Sequence, residues 1–93
     1  MMRISVVQSS SQAITLRVEG EVKGRWVEEL RRMCEELLFR RTQLVLDLAG
    51  VSLVDVDGIA LFQALMGRHV VVTNPSLFIA EQLEGSKNTS TGN

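Results

Sequence analysis

The chain opens with apolar and polar residues in alternation. Ile14, Leu16 and Val18 alternate with Thr15 and Arg17, which is the period of a half-buried strand. A shorter segment of the same kind, RISVVQ, comes before it, and the serines that separate the two segments are typical of a turn. We therefore expect the first two strands to pair as an antiparallel hairpin.

The apolar period changes at Trp26. From there to about Arg41, apolar residues recur at spacings of three and four, which predicts one amphipathic helix. Its other face is charged, and Glu28 with Arg32 is spaced for an ion pair across one helical turn. The predicted buried stripe consists of Trp26, Val27, Leu30, Met33, Cys34, Leu37 and Leu38.

Two later segments, 44–54 and 69–74, are apolar almost throughout. Such runs are typical of strands that are covered on both faces of a sheet. Between them, residues 57–67 are apolar on most sides and end at a glycine, which predicts a short buried helix. Gly20 and Gly24 bracket a loop before the first helix.

A final helix is predicted after the last strand. Asn74 is suited to cap it, Pro75 to occupy its first position and Gly85 to follow its last turn. Residues 86–93 contain no apolar side chain, so we expect a disordered polar tail there and a single domain over residues 1–85.

The order of these elements predicts an α/β fold. Strands that alternate with helices need crossover connections, so the later strands should be parallel and sheltered by helices. With the hairpin at its start, the domain should hold a mixed, mostly parallel sheet of about four or five strands and about three helices.

Composition limits the number of domains, the kinds of partner and the cellular compartment that we expect. A chain of 93 residues with 45% apolar content can form one core, and its net charge of −1 gives no electrostatic footprint for nucleic acid or an anionic membrane. A single cysteine, Cys34, excludes an internal disulfide, and no apolar run suits a signal peptide or a membrane span. We expect a soluble cytoplasmic protein without direct membrane insertion.

The segment SLVDVDGIA, at the end of a predicted strand, is the strongest candidate for a functional site, because it contains two carboxylates and a glycine. Asp55 and Asp57 are placed to accept hydrogen bonds from the free N–H groups of the following helix, a cap of about 1 kcal/mol, and Gly58 relieves crowding. A capped helix without further chemistry explains much of this pattern. Two carboxylates about 6 Å apart repel by about 3 kcal/mol at an effective dielectric near 20, which argues against binding a bare anion.

Catalytic and metal-binding patterns are weak. Asp47, Asp55 and Asp57 supply oxygen ligands, but their spacing is loose for a cation site. His69 precedes a predicted strand, and Cys34 lies on an apolar helix stripe, so neither forms a nucleophile with its base. The sequence favours a protein that is not an enzyme and that needs neither a metal nor a cofactor.

One stretch resembles a known family. In LVLDLAGVSLVDVDGIALFQAL, an apolar strand ends in Asp47-Leu48, and Asp55, Gly58 and Ile59 open the next helix. This arrangement is similar to that of STAS domains, whose members include anti-sigma factor antagonists and stressosome proteins. VVVTNPSLFIAEQLE resembles the last strand and final helix of the family, and the likeness covers about residues 2 to 84. The resemblance implies a STAS-like fold.

The sequence departs from the family pattern at the phosphorylation site. Antagonists that switch partners are phosphorylated on a serine directly after the first aspartate, and Val56 occupies that position. We therefore expect no phosphorylation there. Asp57 occupies the position of the family's next serine or threonine, with one negative charge instead of the roughly −1.5 to −2 of a phosphoserine. Only eleven residues separate Gly58 from Val70, so the intervening helix should be short.

The resemblance implies a regulatory protein-binding module, similar to an anti-sigma factor antagonist but without the acceptor serine. Its partner would be an anti-sigma factor kinase or a related ATPase-fold protein. One alternative is a small STAS subunit that braces a lipid-transport ABC ATPase, and a further one is a small-ligand sensor. The unguarded first strand also leaves a homodimer open. The expected partner-binding residues are Glu21, Lys23, Gly24, Asp55, Val56, Asp57, Gly58, Ile59 and Phe62.

A response-regulator receiver domain is a further alternative for the LVLDL strand, since receivers carry an acceptor aspartate at the end of a central strand. The chain is short for a receiver, opens with two strands and has no acidic pair after the first strand. These three features argue against that alternative.

Overall fold

The computed structural model describes the backbone of residues 1–91 and the side chains of residues 1–84. Four strands form one sheet in the order β1-β2-β3-β4. β1 is antiparallel to β2, whereas β2 with β3 and β3 with β4 are parallel. The elements are β1 Met2–Ser9, β2 Ala13–Val22, α1 Arg25–Phe39, β3 Gln43–Val54, α2 Val56–Met66, β4 Val71–Thr73 and α3 Leu77–Thr91.

This architecture confirms the predicted fold class. The N-terminal hairpin, the mixed sheet, the crossover helices and the short second helix are all present. The hairpin turn is held by Ser10, whose hydroxyl accepts the backbone N–H of Ala13 at 3.1 Å. The serine-rich turn therefore forms by local side-chain bonding, as its composition predicts.

The helices cover one face of the sheet, so the prediction that β3 is sheltered on both faces is wrong. The buried residues of β3 alternate with half-buried or exposed ones, and all three helices contribute to a single core cluster with them. Val45 and Leu53 made the strand look continuously apolar, yet Leu53 is 43% exposed. The buried side chains of β3 are Leu44, Leu46, Leu48 and Val51.

The core lies between the sheet and the three helices. Leu16 and Val18 of β2 are buried there, as their alternation predicts, and Phe62 of α2 is fully enclosed. Enclosing a side chain of that size contributes about 1.5 to 3 kcal/mol. Burial also raises the pKa of the Cys34 thiol to about 12, so Cys34 stays protonated and serves as a small core residue.

The start of α3 differs from the prediction. Asn74 does not cap the helix; it adopts a left-handed conformation with φ of 56°. Its side-chain amide donates to Oδ1 of Asp47 at 3.3 Å. Ser76 is the cap, because its hydroxyl accepts the backbone N–H of Ile79 at 3.2 Å and α3 begins at Leu77.

The end of α3 also differs, because the helix continues through Gly85 to Thr91. The predicted disordered tail covers residues 86–93. The structure describes only the backbone of residues 86–91 and does not describe residues 92–93. A disordered tail and the domain limit at residue 85 therefore stay predictions.

The charged face of α1 pairs differently from the prediction. Arg32 bonds Glu29 at 2.6 Å, and Glu28 bonds Arg31 at 3.2 Å, so both pairs are spaced by three residues. The helix ends at Phe39, and Arg41, two residues later, has a positive φ of 61°.

Over the part of the chain that the structure describes, no helix has both the length and the apolar composition that a membrane span requires.

Candidate partner-binding surface

Asp55 joins two loops at the carboxyl edge of the sheet. Its backbone N–H donates to the carbonyl oxygen of Val22 at 3.1 Å, which ties the end of β3 to the end of β2. Its carboxylate accepts the backbone N–H of Gly24 at 2.9 Å and that of Gly58 at 2.8 Å. These bonds, that from Gly24 foremost, lower the pKa of Asp55. Asp55 is thus the ionised cap of α2 and a clamp between both loops.

Gly58 is required by close packing. A Cβ at this position would lie 2.5 Å from Cγ1 of Val54 and 2.9 Å from the carbonyl oxygen of Val22. The second of these atoms belongs to the backbone and cannot rotate away. The absence of a side chain at Gly58 therefore allows α2 to begin directly against the end of β2.

Val56 is the most prominent side chain of the loop. It is the first residue of α2, and 84% of its surface is exposed. Asp57 follows it, also exposed, and forms neither an ion pair nor a side-chain hydrogen bond to any described residue. The side chain of residue 56 is thus largely exposed, and valine has no hydroxyl that could take a phosphate.

The loop before α1 is held next to the start of α2 by the hydrogen bond from Gly24 to the carboxylate of Asp55. Lys23 is 3.6 Å from Oε1 of Glu21, and the amino group of Met1 is 3.3 Å from the same oxygen. The hydrogen bond from that amino group, followed by the charge of Lys23, lowers the pKa of Glu21. Gly24 has a positive φ of 57°, which glycine adopts without strain. The structure therefore brings the predicted residue Gly24 next to the start of α2. Lys23 precedes it in the same loop, and Glu21 lies near the end of β2, paired with Leu53 of β3.

The remaining two predicted residues are less accessible. Ile59 is half-buried, and Phe62 has no exposed surface because it packs into the core. Phe62 can support the surface only by holding α2 in place. Contact between a partner and the accessible residues stays a prediction.

A groove between α2 and α3 was not found from the sequence. It measures about 540 Å³, and at one side Nε2 of Gln63 donates to the carbonyl oxygen of Leu83 at 3.0 Å. Phe78, one turn before Gln82 on α3, is 67% exposed. No local sequence pattern marks the groove, because its lining joins residues 54–63 to Gln82 of another helix. The groove is lined by Val54, Asp55, Val56, Ile59, Ala60, Gln63 and Gln82.

The candidate cation ligands do not come together. Asp47 accepts the backbone N–H of Ala49 at 3.0 Å and the side-chain amide of Asn74, and these bonds lower its pKa. Among the residues that the structure describes, no three His, Cys, Asp or Glu side chains are grouped to hold a metal ion. Asp47 instead fastens the loop before α3 to the sheet.

Comparison with known proteins places this geometry in a family. A family model described as Mlab, STAS domain, matches residues 5–85. A search of curated proteins finds no match. Among solved structures, the chain is similar to the anti-sigma factor antagonist SpoIIAA in its unphosphorylated form, with a TM-score of 0.72 and 16% identity over 98% of this chain and 100% of that one.

The structural likeness, at this low identity, concerns the fold. The family match extends from β1 to the end of the described side chains of α3 and includes the loop that carries Asp55 and Gly58. It agrees with the resemblance carried by Asp47-Leu48 and by the loop itself. The chain belongs to the STAS domain family.

Proposed function

We propose that this protein is a non-enzymatic regulatory module that binds a protein partner at the loop containing Val56, and that phosphorylation of residue 56 does not control this binding. The partner is an anti-sigma factor kinase or a related ATPase-fold protein. The observation that carries the proposal is the 84% exposure of Val56 at the start of α2, on a loop fixed by Asp55.

The physical argument rests on rigidity and on apolar surface. The clamp at Asp55 holds the loop before α1 and the start of α2 in one arrangement, so little ordering entropy is lost when a partner binds. Covering the exposed valine with a partner removes apolar surface from water, which stabilises the complex. A binding surface that is already formed needs no phosphate to create it.

A second candidate is a STAS subunit that braces a lipid-transport ABC ATPase. Val56 favours it, because a brace needs no phosphate acceptor. The two candidates share the docking surface and differ in the partner. A small-ligand sensor stays a prediction without a specific observation in its favour.

Partner capture separates these candidates. The tag belongs at the C-terminus, since the amino group of Met1 bonds Glu21 beside the proposed surface. The tagged protein is purified from native lysate with and without ATP, and the recovered proteins are identified by mass spectrometry. An anti-sigma factor kinase would support the first candidate and a transporter ATPase the second. Recovery of neither class, with or without ATP, would contradict the proposal.

A further inference from the structure

β1 forms the longer free edge of the sheet. It has 8 residues and pairs only with β2, whereas β4 at the opposite edge has 3. The backbone N–H of Glu21 donates to the carbonyl oxygen of Met1 at 2.9 Å, and the two residues lie opposite each other because Met2 is in register with Gly20. Hydrogen-bonded and non-hydrogen-bonded pairs alternate along an antiparallel ladder. The N–H and C=O groups that point away from β2 therefore belong to Met2, Ile4 and Val6.

The apolar core reaches this edge without being covered there. Val6 lies on the helix-covered side of the sheet, because it is in register with Leu16, whose side chain is 1% exposed. Val6 itself is nevertheless 59% exposed, and Met2 and Ile4 on the same side are only half-buried. A strand that covers this edge therefore needs apolar side chains at alternate positions.

The same strand from a second copy meets this requirement. The β1–β2 register shifts between Val6 and Gln8, so the regular part of the free edge runs from Met2 to Val6 and is centred on Ile4. A two-fold axis at Ile4 pairs Ile4 with its own copy and Met2 with Val6 in an antiparallel ladder. All the outward N–H and C=O groups of this edge then have partners, and the exposed Val6 faces the half-buried Met2.

Charge also fits a second copy in this register. Arg3 is the only charged side chain in residues 2–9, and the two-fold axis places it opposite Ser5 of the second copy. A ladder centred on Arg3 instead would place the two arginines opposite each other, which is destabilising. The edge therefore admits its own copy without like charges in directly opposed positions.

We infer that a second copy of this chain docks on β1 in the antiparallel orientation, so that the two sheets join into one across a two-fold axis at Ile4. Both copies use the same residues, so the interface is closed and yields a dimer instead of a filament. Residues 2–6 include none of the residues expected to contact the regulatory partner. The dimer therefore does not depend on the proposed function, and partner capture can fail without affecting it.

Sedimentation equilibrium of the purified full chain at increasing protein concentration tests the inference, and we expect a monomer–dimer equilibrium. Val6→Lys places a cation at the free edge opposite Met2 and should raise the dissociation constant about tenfold or more. Val71→Lys is the matched control, because Val71 is 46% exposed on the other edge strand, and it should leave the dissociation constant unchanged. Circular dichroism checks that both variants are folded.

Disulfide cross-linking tests the register separately. Arg3→Cys and Ser5→Cys, made on separate chains and mixed, should form a linked dimer under mild oxidation, because directly opposed residues have Cα atoms about 4.5 Å apart, within the span of a disulfide. Either variant alone should cross-link far less, since equal positions on the two copies are offset by two residues. The wild type, whose Cys34 is buried, should not cross-link.

Three results would each overturn the inference. The first is a monomer at every concentration. The second is an equal dissociation constant for the wild type and a folded Val6→Lys, which would place the dimer contact elsewhere. The third is a cross-link in Ser5→Cys alone that matches the mixture, which would contradict the axis at Ile4.

Discussion

The backbone nitrogen of Gly24 lies 2.9 Å from Oδ2 of Asp55, a bond that joins residues 31 positions apart. The other oxygen of the same carboxylate accepts the N–H of Gly58 at 2.8 Å. One side chain therefore fixes both the loop before α1 and the start of α2. The surface around Val56 depends on this clamp.

The clamp predicts a pH dependence of stability. Folding lowers the pKa of Asp55, so its contribution to stability is complete above the ordinary pKa of 3.8 and is lost as the pH falls through the lower pKa of the folded state. Asp55→Asn should have a lower Tm at neutral pH. The Tm difference between wild type and this variant should shrink below about pH 4.

Thermal unfolding from neutral pH to about pH 2 measures this effect. The control is Asp57→Asn, which removes a charge from the same loop but no side-chain hydrogen bond to any described residue. It should keep the acid-induced loss seen in the wild type. A Tm difference between wild type and Asp55→Asn that stays constant at all pH values would argue against the clamp.

Gly58 should not tolerate a side chain. Its Cβ would meet Val54 and the carbonyl oxygen of Val22, so we expect Gly58→Ala to lower the free energy of unfolding by about 1 to 3 kcal/mol. Gly67→Ala is the control, because the nearest atom to its Cβ would be 3.4 Å away and its φ is −66°. That variant should be neutral or slightly more stable. Urea unfolding compares them, and equal stabilities would refute the packing argument.

Ser76 should contribute more to α3 than Asn74 does. Ser76→Ala removes the cap and should cost about 1 kcal/mol of unfolding free energy. Asn74→Gly removes the hydrogen bond to Asp47 but suits the positive φ, so its cost should be smaller. Denaturant unfolding of both variants decides which residue caps the helix. A larger loss in Asn74→Gly would assign a greater stabilising role to Asn74.

Val56→Ser should create a phosphate acceptor. With a purified anti-sigma factor kinase and ATP, we expect the variant to be phosphorylated on residue 56 and the wild type to stay unmodified over residues 52–60. Mass spectrometry of the tryptic peptides reads out both. Ser52, whose hydroxyl donates to the carbonyl oxygen of Gly20 at 3.2 Å, is replaced by alanine in a control. Stoichiometric phosphorylation of the wild type in this segment would contradict the proposed lack of a switch.

Local patterns predicted most of the fold. The alternation of Ile14, Leu16 and Val18 and the cap at Asp55 depend on neighbouring residues, so they were visible in the sequence. The coverage of β3 was not, because Val45 and Leu53 are apolar on a face that no helix covers. Whether an apolar residue is buried depends on what packs against it.

Contacts between distant segments explain the other differences. Asn74 and Ser76 are both good capping residues, and the choice depends on Asp47, 27 positions before Asn74. The groove arises only where α3 packs beside α2 and brings Gln82 to Ile59. The loop of the candidate site was predicted because its residues are consecutive, whereas the groove that extends it joins two helices.

The central claim is that a partner binds at Val56. The direct measurement is the amount of partner recovered in the capture experiment by wild type, Val56→Lys and Val7→Lys, each checked for an unchanged Tm. Val7 is 43% exposed on β1 and provides the matched control. We predict that Val56→Lys loses the partner and that Val7→Lys retains it. Equal recovery by Val56→Lys and the wild type would contradict the proposed docking surface.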